Sequence, residues 1–241
     1  MIEQPVITLD VDWAPDFVIE HIANILSDKK VKATWFITHD SQMVQNLRKN
    51  DLFELGLHPN FDPSSTQGSD PDSVLTNLKK IIPQATSLRT HSFNQSTPLI
   101  LKFQKFGLEN DASIFLSKTK NISPHFLKFA NLYRFPSFWA DDIEMEDKTE
   151  CWSLDDPIYH TPGLKIFIFH PIHIFLNSRT MEKYNTLKNK KNISLLNPED
   201  VENYVNTNNV GSGIFFEQLT SFLMNYKTYT IQDLNKIYKN L

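Results

Sequence analysis

The chain has 241 residues, 40% of them apolar and 12% aromatic, enough to bury a large core within one domain. Its formal net charge of −4 offers no basic face for a phosphate backbone, so nucleic acid is excluded as an expected partner, and the local run Lys188, Lys190, Lys191 reads as a solvated loop. A single cysteine, Cys151, excludes an internal disulfide and a zinc finger and fits a reducing compartment. The N-terminus lacks a signal-peptide pattern, and no run approaches the ~20 apolar residues of a membrane span. The expectation is a cytoplasmic protein without a membrane span, forming one domain over residues 1–241.

In chain order, short apolar runs alternate with amphipathic segments, the pattern of βα units. Val6 to Leu9 reads as a buried strand, and Phe17, Val18, Ile22, Ile25 and Leu26 follow at helical spacing behind an Asp16 cap. Val31 to Ile37 predicts a strand, Ser41 to Lys49 a helix, and Phe53 to Leu57 a strand ending at His58. Asp72 or Ser73 caps a helix carrying Val74, Leu75, Leu78 and Ile81, and Ser87 to His91 is the next strand. Thr97-Pro98 opens a helix that Gly107 closes. Leu132 to Phe135 and Ile166 to Phe169 predict two later strands. Residues 177 to 212, rich in Asn, Lys and Thr, read as an exposed excursion, followed by a helix over Gly213 to Met224 and a short one near Leu234.

Polar chemistry gathers where the strands end, the place at which α/β folds put their ligands. Asp10 and Asp12 flank one residue after the first strand, so one carboxylate can ligate a metal while the other stays a free base; the plainer reading is a turn that caps the next helix. His58 and Asp62 form His-x-x-x-Asp, an imidazole and a carboxylate suited to zinc or a similar divalent ion, although Asp62 before Pro63 also suits a turn. Arg89 and His91 lie two apart, hence on the same face of a strand. Arg89 could keep Asp10 ionised and His91 could complete a metal shell; an ordinary ion pair beside a core histidine is the alternative.

Arg134 to Asp142 is dense in aromatic and acidic residues: Phe135 and Phe138 read as packing, while Trp13 and Trp139 are candidate platforms for a sugar. His170 ends a continuous apolar strand and suits general acid work, because imidazole titrates near neutrality. His173 reads as a satisfied core or loop histidine.

These clusters, in this order, resemble the five motifs of the polysaccharide deacetylases with a NodB-homology domain. Thr8-Leu9-Asp10-Val11-Asp12 resembles the first motif and Ala33-Thr34-Trp35-Phe36 the strand after it. His58 resembles the leading histidine of His-x-x-x-His. Arg89-Thr90-His91-Ser92 stands in place of Arg-x-Pro-Tyr, Trp139 to Asp142 in place of the fourth motif, and Ile168-Phe169-His170-Pro171 resembles the fifth. The combination is most similar to the WbmS-like branch associated with bacterial O-antigen biosynthesis, over residues 5 to 175.

The resemblance implies an α/β fold, a distorted (β/α) barrel, and hydrolysis of an N-acetyl or other acyl group on a sugar with one divalent metal ion, zinc first among the candidates. It implies Asp10 as catalytic base oriented by Arg89, His170 as acid steered by Asp142 or else Asp141, and an acetylated amino sugar or sugar precursor as substrate. Two departures stand out: Asp62 replaces the second motif histidine, and His91 the proline of Arg-x-Pro-Tyr. Together they suggest a ligand set of Asp12, His58 and His91, with Asp62 as rival for the third place. A non-catalytic carbohydrate-binding barrel is the alternative function.

Overall fold

A computed structural model describes residues 4–147 and 149–240. The strands are β1 (Val6–Asp10), β2 (Ala33–Ile37), β3 (Phe53–Leu57), β4 (Ser87–Leu88), β5 (Asn110–Asp111), β6 (His125–Leu127), β7 (Leu132–Arg134), β8 (Trp139–Ala140) and β9 (Ile166–Phe169). The helices are α1 (Asp16–Asp28), α2 (Gln42–Leu47), α3 (Pro71–Ile81), α4 (Thr97–Lys105), α5 (Asp141–Glu146), α6 (Pro171–Leu176), α7 (Glu182–Lys190), α8 (Pro198–Val201), α9 (Ser212–Leu223) and α10 (Ile231–Tyr238), with short 3-10 turns between them.

Among the described residues the strands form one sheet in the order β6-β7-β5-β4-β3-β2-β1-β9-β8, with every pairing parallel except β6 with β7. The central strands β1, β2 and β9 are buried at every position, which is why they read as unbroken apolar runs. The sheet curls because one extended segment crosses from one side to the other. Phe135 donates its N–H to Asp111 C=O and Ser137 to Ile114 C=O, and Phe138 then donates to the C=O of Ile166 in β9. A bridge between Phe115 and Ser137 completes the contact. The result is a distorted (β/α) barrel whose strand ends converge on one mouth.

Several element boundaries differ from expectation for local reasons. β2 begins at Ala33 rather than Val31, and β4 ends at Leu88 rather than His91. Asp16 is the first residue of α1 rather than its cap; Pro15 holds the cap position, and the Asp16 side chain accepts from the Met43 N–H instead. The cap of α3 is Asp70, which accepts from the N–H groups of Asp72 and Ser73, and Pro71 fills the first turn. Gly107 does end the α4 segment with a left-handed φ of +69°.

The stretch 177–212 is more ordered than an exposed excursion. It carries α7 and α8 and is pinned by Asn177, whose Nδ2 donates to Asn206 C=O and Asn209 C=O and whose Oδ1 accepts from the Gly211 and Ile214 N–H groups. α9 then lies hard against the turn after α6: a Cβ on Gly211 would sit 2.4 Å from the Asn177 carbonyl oxygen, and one on Gly213 would sit 2.4 Å from that of Ile174. Only glycine permits that approach, and it brings the intervening Ser212 to the barrel mouth. Among the described residues no helix is long and apolar enough to cross a membrane.

Candidate active site

The mouth is built from strand ends. Asp10 is the last residue of β1, and the chain after it makes a turn closed by the Ala14 N–H donating to Val11 C=O. Both central residues of that turn are left-handed, Asp12 at φ 43° and Trp13 at φ 56°. Neither is glycine, so this backbone costs free energy, and it persists because the neighbouring strands fix both its ends. The turn brings the Asp12 carboxylate to the imidazoles beyond β3 and β4, and the Thr38 hydroxyl accepts from the Trp13 N–H.

His58 follows β3 and is 2% exposed. Its Nδ1 lies 2.7 Å from the carbonyl oxygen of Arg89. A carbonyl only accepts, so Nδ1 carries a proton and donates to it, which leaves Nε2 as the ring atom turned to the mouth. Nε2 faces Oδ1 of Asp12 at 3.1 Å. Nδ1 of His91 reaches the same oxygen at 3.3 Å. Oδ1 of Asp12 is buried and has no hydrogen-bond partner. Two imidazole nitrogens and a carboxylate oxygen converging with an unsatisfied acceptor among them form a set that asks for a cation.

The donor atoms of Asp12, His58 and His91 all lie within 4.8 Å of one another, so the residues fit a divalent ion. Burial opposes the charge on Asp12, but the facing His58 and His91 outweigh it and hold the carboxyl well below its ordinary range. The same contact raises the His91 imidazole. Asp62, the rival third ligand, lies exposed in the loop beyond His58 and is not part of this group.

Arg89 is fully buried beneath the mouth. Its Nη1 donates to Oδ1 of Asp10 at 2.7 Å, Nη2 to the Ser137 hydroxyl at 3.1 Å and Nε to Ala112 C=O at 3.2 Å, and the guanidinium lies 4.5 Å from the centre of the Phe36 ring. A buried guanidinium tied in this way fixes the orientation of the Asp10 carboxylate. The other oxygen of Asp10 lies 3.9 Å from Nε2 of His58, at the edge of the metal-ligand group. Arg89 and His91 reach the mouth without a common strand: the Arg89 N–H bonds Leu57 C=O, and the His91 N–H bonds Pro59 C=O after β4 has ended.

On the opposite side His170 follows β9, with Nδ1 2.7 Å from Oδ1 of Asp141 and Nε2 3.6 Å from Oδ2 of Asp12. The residue that steers the ring is therefore Asp141, not Asp142. Asp141 opens α5 fully buried, and its second oxygen accepts from the His170 backbone N–H at 3.0 Å and from the Ser212 hydroxyl at 2.8 Å. Asp142 lines the same cavity without bonding the His170 ring, and one of its oxygens accepts from the Ile143 N–H. Burial pushes the Asp142 carboxyl up, whereas Asp141 is held down despite its burial by the charge of His170. Burial also works against a charged His170, but Asp141 and then Asp142 overcome it and raise the imidazole well above its ordinary value.

His173 packs beneath His170, buried, with its pKa pushed down to about 4 by burial, in keeping with its reading as a core histidine. Trp139 is corrected: it is 1% exposed and packed among Trp152, Phe169 and Phe215, because its position in β8 turns the ring into the core. It cannot contact a sugar. Trp13 stays at the mouth, half-buried, with its ring edge-to-face with His91 at 5.8 Å. Ser212 and Ser137 were not singled out from the sequence; they lie 71 and 48 residues from the partners they serve, and no local pattern marks them.

A model of the WbmS-like polysaccharide deacetylases matches residues 7–188. The chain belongs to that family. A solved structure from Bordetella bronchiseptica, described as a polysaccharide deacetylase involved in O-antigen biosynthesis, is 30% identical, with 90% of each chain covered and a TM-score of 0.82. The peptidoglycan deacetylase PdaC from Bacillus subtilis is similar in fold alone, at 12% identity over 98% of this chain and 92% of that one, with a TM-score of 0.54. A polysaccharide deacetylase-like structure from Mycobacterium smegmatis matches at 12% identity, 98% and 89% coverage and a TM-score of 0.61. No curated protein matches the sequence. The distorted barrel is thus the fold this family shares.

Proposed function

We propose that this chain is a metal-dependent amide hydrolase that removes an N-acetyl group from a sugar in bacterial surface-polysaccharide synthesis, O-antigen being the context of the Bordetella relative. The observation that carries the reading is a fixed base and a fixed acid on either side of one ligand set. Asp10 is ion-paired to buried Arg89, His170 is held by buried Asp141, and Asp12, His58 and His91 stand between them. Simple sugar binding requires neither a charged base nor an imidazolium aimed at the same point.

Asp12, His58 and His91 would hold the ion, for which zinc suits two imidazoles and one carboxylate. A bound divalent ion supplies Lewis acidity and makes hydroxide available near neutral pH. Asp10, ion-paired with Arg89 through one oxygen, accepts the proton of the attacking water through the oxygen that Arg89 leaves free. His170, kept cationic by Asp141, carries its proton on Nε2 at the mouth and delivers it to the nitrogen of the departing amine. Asp141 remains ionised throughout and fixes the ring. The acyl group thereby leaves as the carboxylate and the sugar as the free amine.

The test is acetate release from N-acetylglucosamine oligomers by the zinc-supplemented protein. The reading predicts turnover that disappears in Asp10→Asn; acetate release that survives this substitution, or none at all from a panel of N-acetylated sugars and sugar nucleotides, contradicts it. The substrate is proposed to be a precursor handled inside the cell, in keeping with a chain whose only cysteine is unpaired.

A further inference from the structure

The loop that carries His91 continues into a second strained segment. Ser92 and Phe93 are both left-handed, at φ 54° and φ 51°, and neither is glycine. Two adjacent residues in that region are costly for L-amino acids, and such strain persists only where the surroundings fix it. Here they do. The His91 N–H is held by Pro59 C=O, the Thr90 N–H by the Ser113 hydroxyl, and the Gln95 side chain donates to Ser113 C=O.

What the strain achieves is the placement of one ring. Phe93 lines the same small cavity, about 90 Å³, as Asp10, Asp12, His58, His91 and His170. Phe115 stacks on it at 5.5 Å with the planes only 21° apart, so the ring is braced against rotation. Phe115 belongs to the stretch after β5 whose bridge to Ser137 helps close the barrel. Apart from Ala140 and Ile168, the residues that line the cavity beside Phe93 carry carboxylates, imidazoles and hydroxyls, so its ring is the large apolar surface among them. Relaxing Ser92 and Phe93 to an ordinary conformation would relieve the strain and withdraw the ring.

We infer that Phe93 is a specificity-determining residue, the platform on which the pyranose ring of the substrate lays its C–H face while the acylamino group enters the cavity. The inference rests on the deacetylase reading and names the sugar contact within it. The axial C–H bonds of a pyranose form an apolar, weakly positive face, and the π-face of a phenyl ring is its electrostatic complement. A platform of this kind holds the sugar rather than the reacting amide, so its loss falls on KM and on discrimination between ring and non-ring substrates.

The experiment compares wild type, Phe93→Ala and Phe93→Tyr, each zinc-loaded, on N-acetylglucosamine oligomers and on ethyl acetate, which has no ring to stack. Binding of the same oligomers is followed independently by saturation-transfer NMR. Expected for Phe93→Ala is a loss in kcat/KM on the oligomers about tenfold greater than on ethyl acetate, carried by KM, with loss of saturation transfer to the pyranose C–H protons. Phe93→Tyr restores both. Equal losses on the two substrates, or unchanged saturation transfer in Phe93→Ala, overturn the inference while leaving the deacetylase reading in place. Saturation transfer that depends on Phe93 in a protein that releases no acetate supports the platform and sinks the deacetylase reading.

Discussion

The two ends of the barrel strands each carry a buried polar network, and they are built on opposite terms. At the amino ends, Glu54 of β3 accepts from the Thr34 hydroxyl at 2.8 Å, the Gln232 N–H at 2.8 Å and the Ser87 hydroxyl. Ser87 accepts from Asn110, Asn110 from Asn235 of α10, and Thr34 accepts from the Ile231 N–H at 2.9 Å. Every donor on this path finds an acceptor, so the network acts as a clasp that seats α10 under the sheet. At the carboxyl ends, Oδ1 of Asp12 has no donor, two imidazoles crowd it, and the backbone that presents it is left-handed. A satisfied network rigidifies, whereas an unsatisfied acceptor faced by two imidazoles calls for an explanation that a bound cation supplies.

Substitutions at the two ends should therefore separate turnover from stability. Asp10→Asn should lower kcat on the order of 10²–10⁴-fold, as loss of a general base does, while metal content stays near wild type; a smaller fall measured by acetate release would remove Asp10 from the base role. Arg89→Met spans both properties, because it strands the buried Asp10 charge. Denaturant unfolding should show a loss of about 3–5 kcal/mol together with lost turnover. Asp141→Asn should leave the fold in place and reduce kcat about 10- to 100-fold, since an imidazole without its orienting anion loses both pose and charge. Asp142→Asn, measured beside it, should cost far less; equal effects would undo the assignment to Asp141.

Glu54→Gln is the counterpart at the amino end, with a stability loss of about 1–2 kcal/mol from one mismatched buried hydrogen bond and kcat within twofold of wild type. Burial raises the Glu54 carboxyl. The fold therefore favours its protonated form. That contribution is complete below the carboxyl's ordinary pKa and is lost as pH rises through the folded value. The stability gap between wild type and Glu54→Gln should narrow with rising pH across that window, and a gap that widens would contradict the assignment.

The same contrast explains what could be read from the sequence. β1, β2 and β9 were legible because long buried strands leave apolar runs, β3 because Phe53, Leu55 and Leu57 alternate around Glu54 and Gly56, and Asp10 at the end of β1, with His58 and His170 just after β3 and β9, announced themselves by position. β5 and β8 are two residues long, and β5 is Asn110-Asp111, so neither carries a periodicity to detect. The convergence of Asp12, His58 and His91 was suggested by two departures from a motif pattern, whereas the choice between Asp141 and Asp142 depends on where α5 begins. Trp139 misled because an aromatic beside acidic residues reads alike whether its ring faces solvent or core. The Ser212 bond to Asp141 depends on the close packing of Gly211 and Gly213 against the α6 turn, a tertiary fact with no local trace.

The claim on which the rest depends is that the unsatisfied end of the barrel is a metal centre. Elemental analysis of wild type and His91→Ala, each dialysed after zinc supplementation against a non-chelating buffer, tests it without reference to any substrate. About one zinc per chain in the wild type, lost or strongly reduced in His91→Ala, is the predicted result. A wild type that retains no divalent ion after supplementation, or a variant that retains as much as wild type, would contradict the Asp12, His58 and His91 assignment.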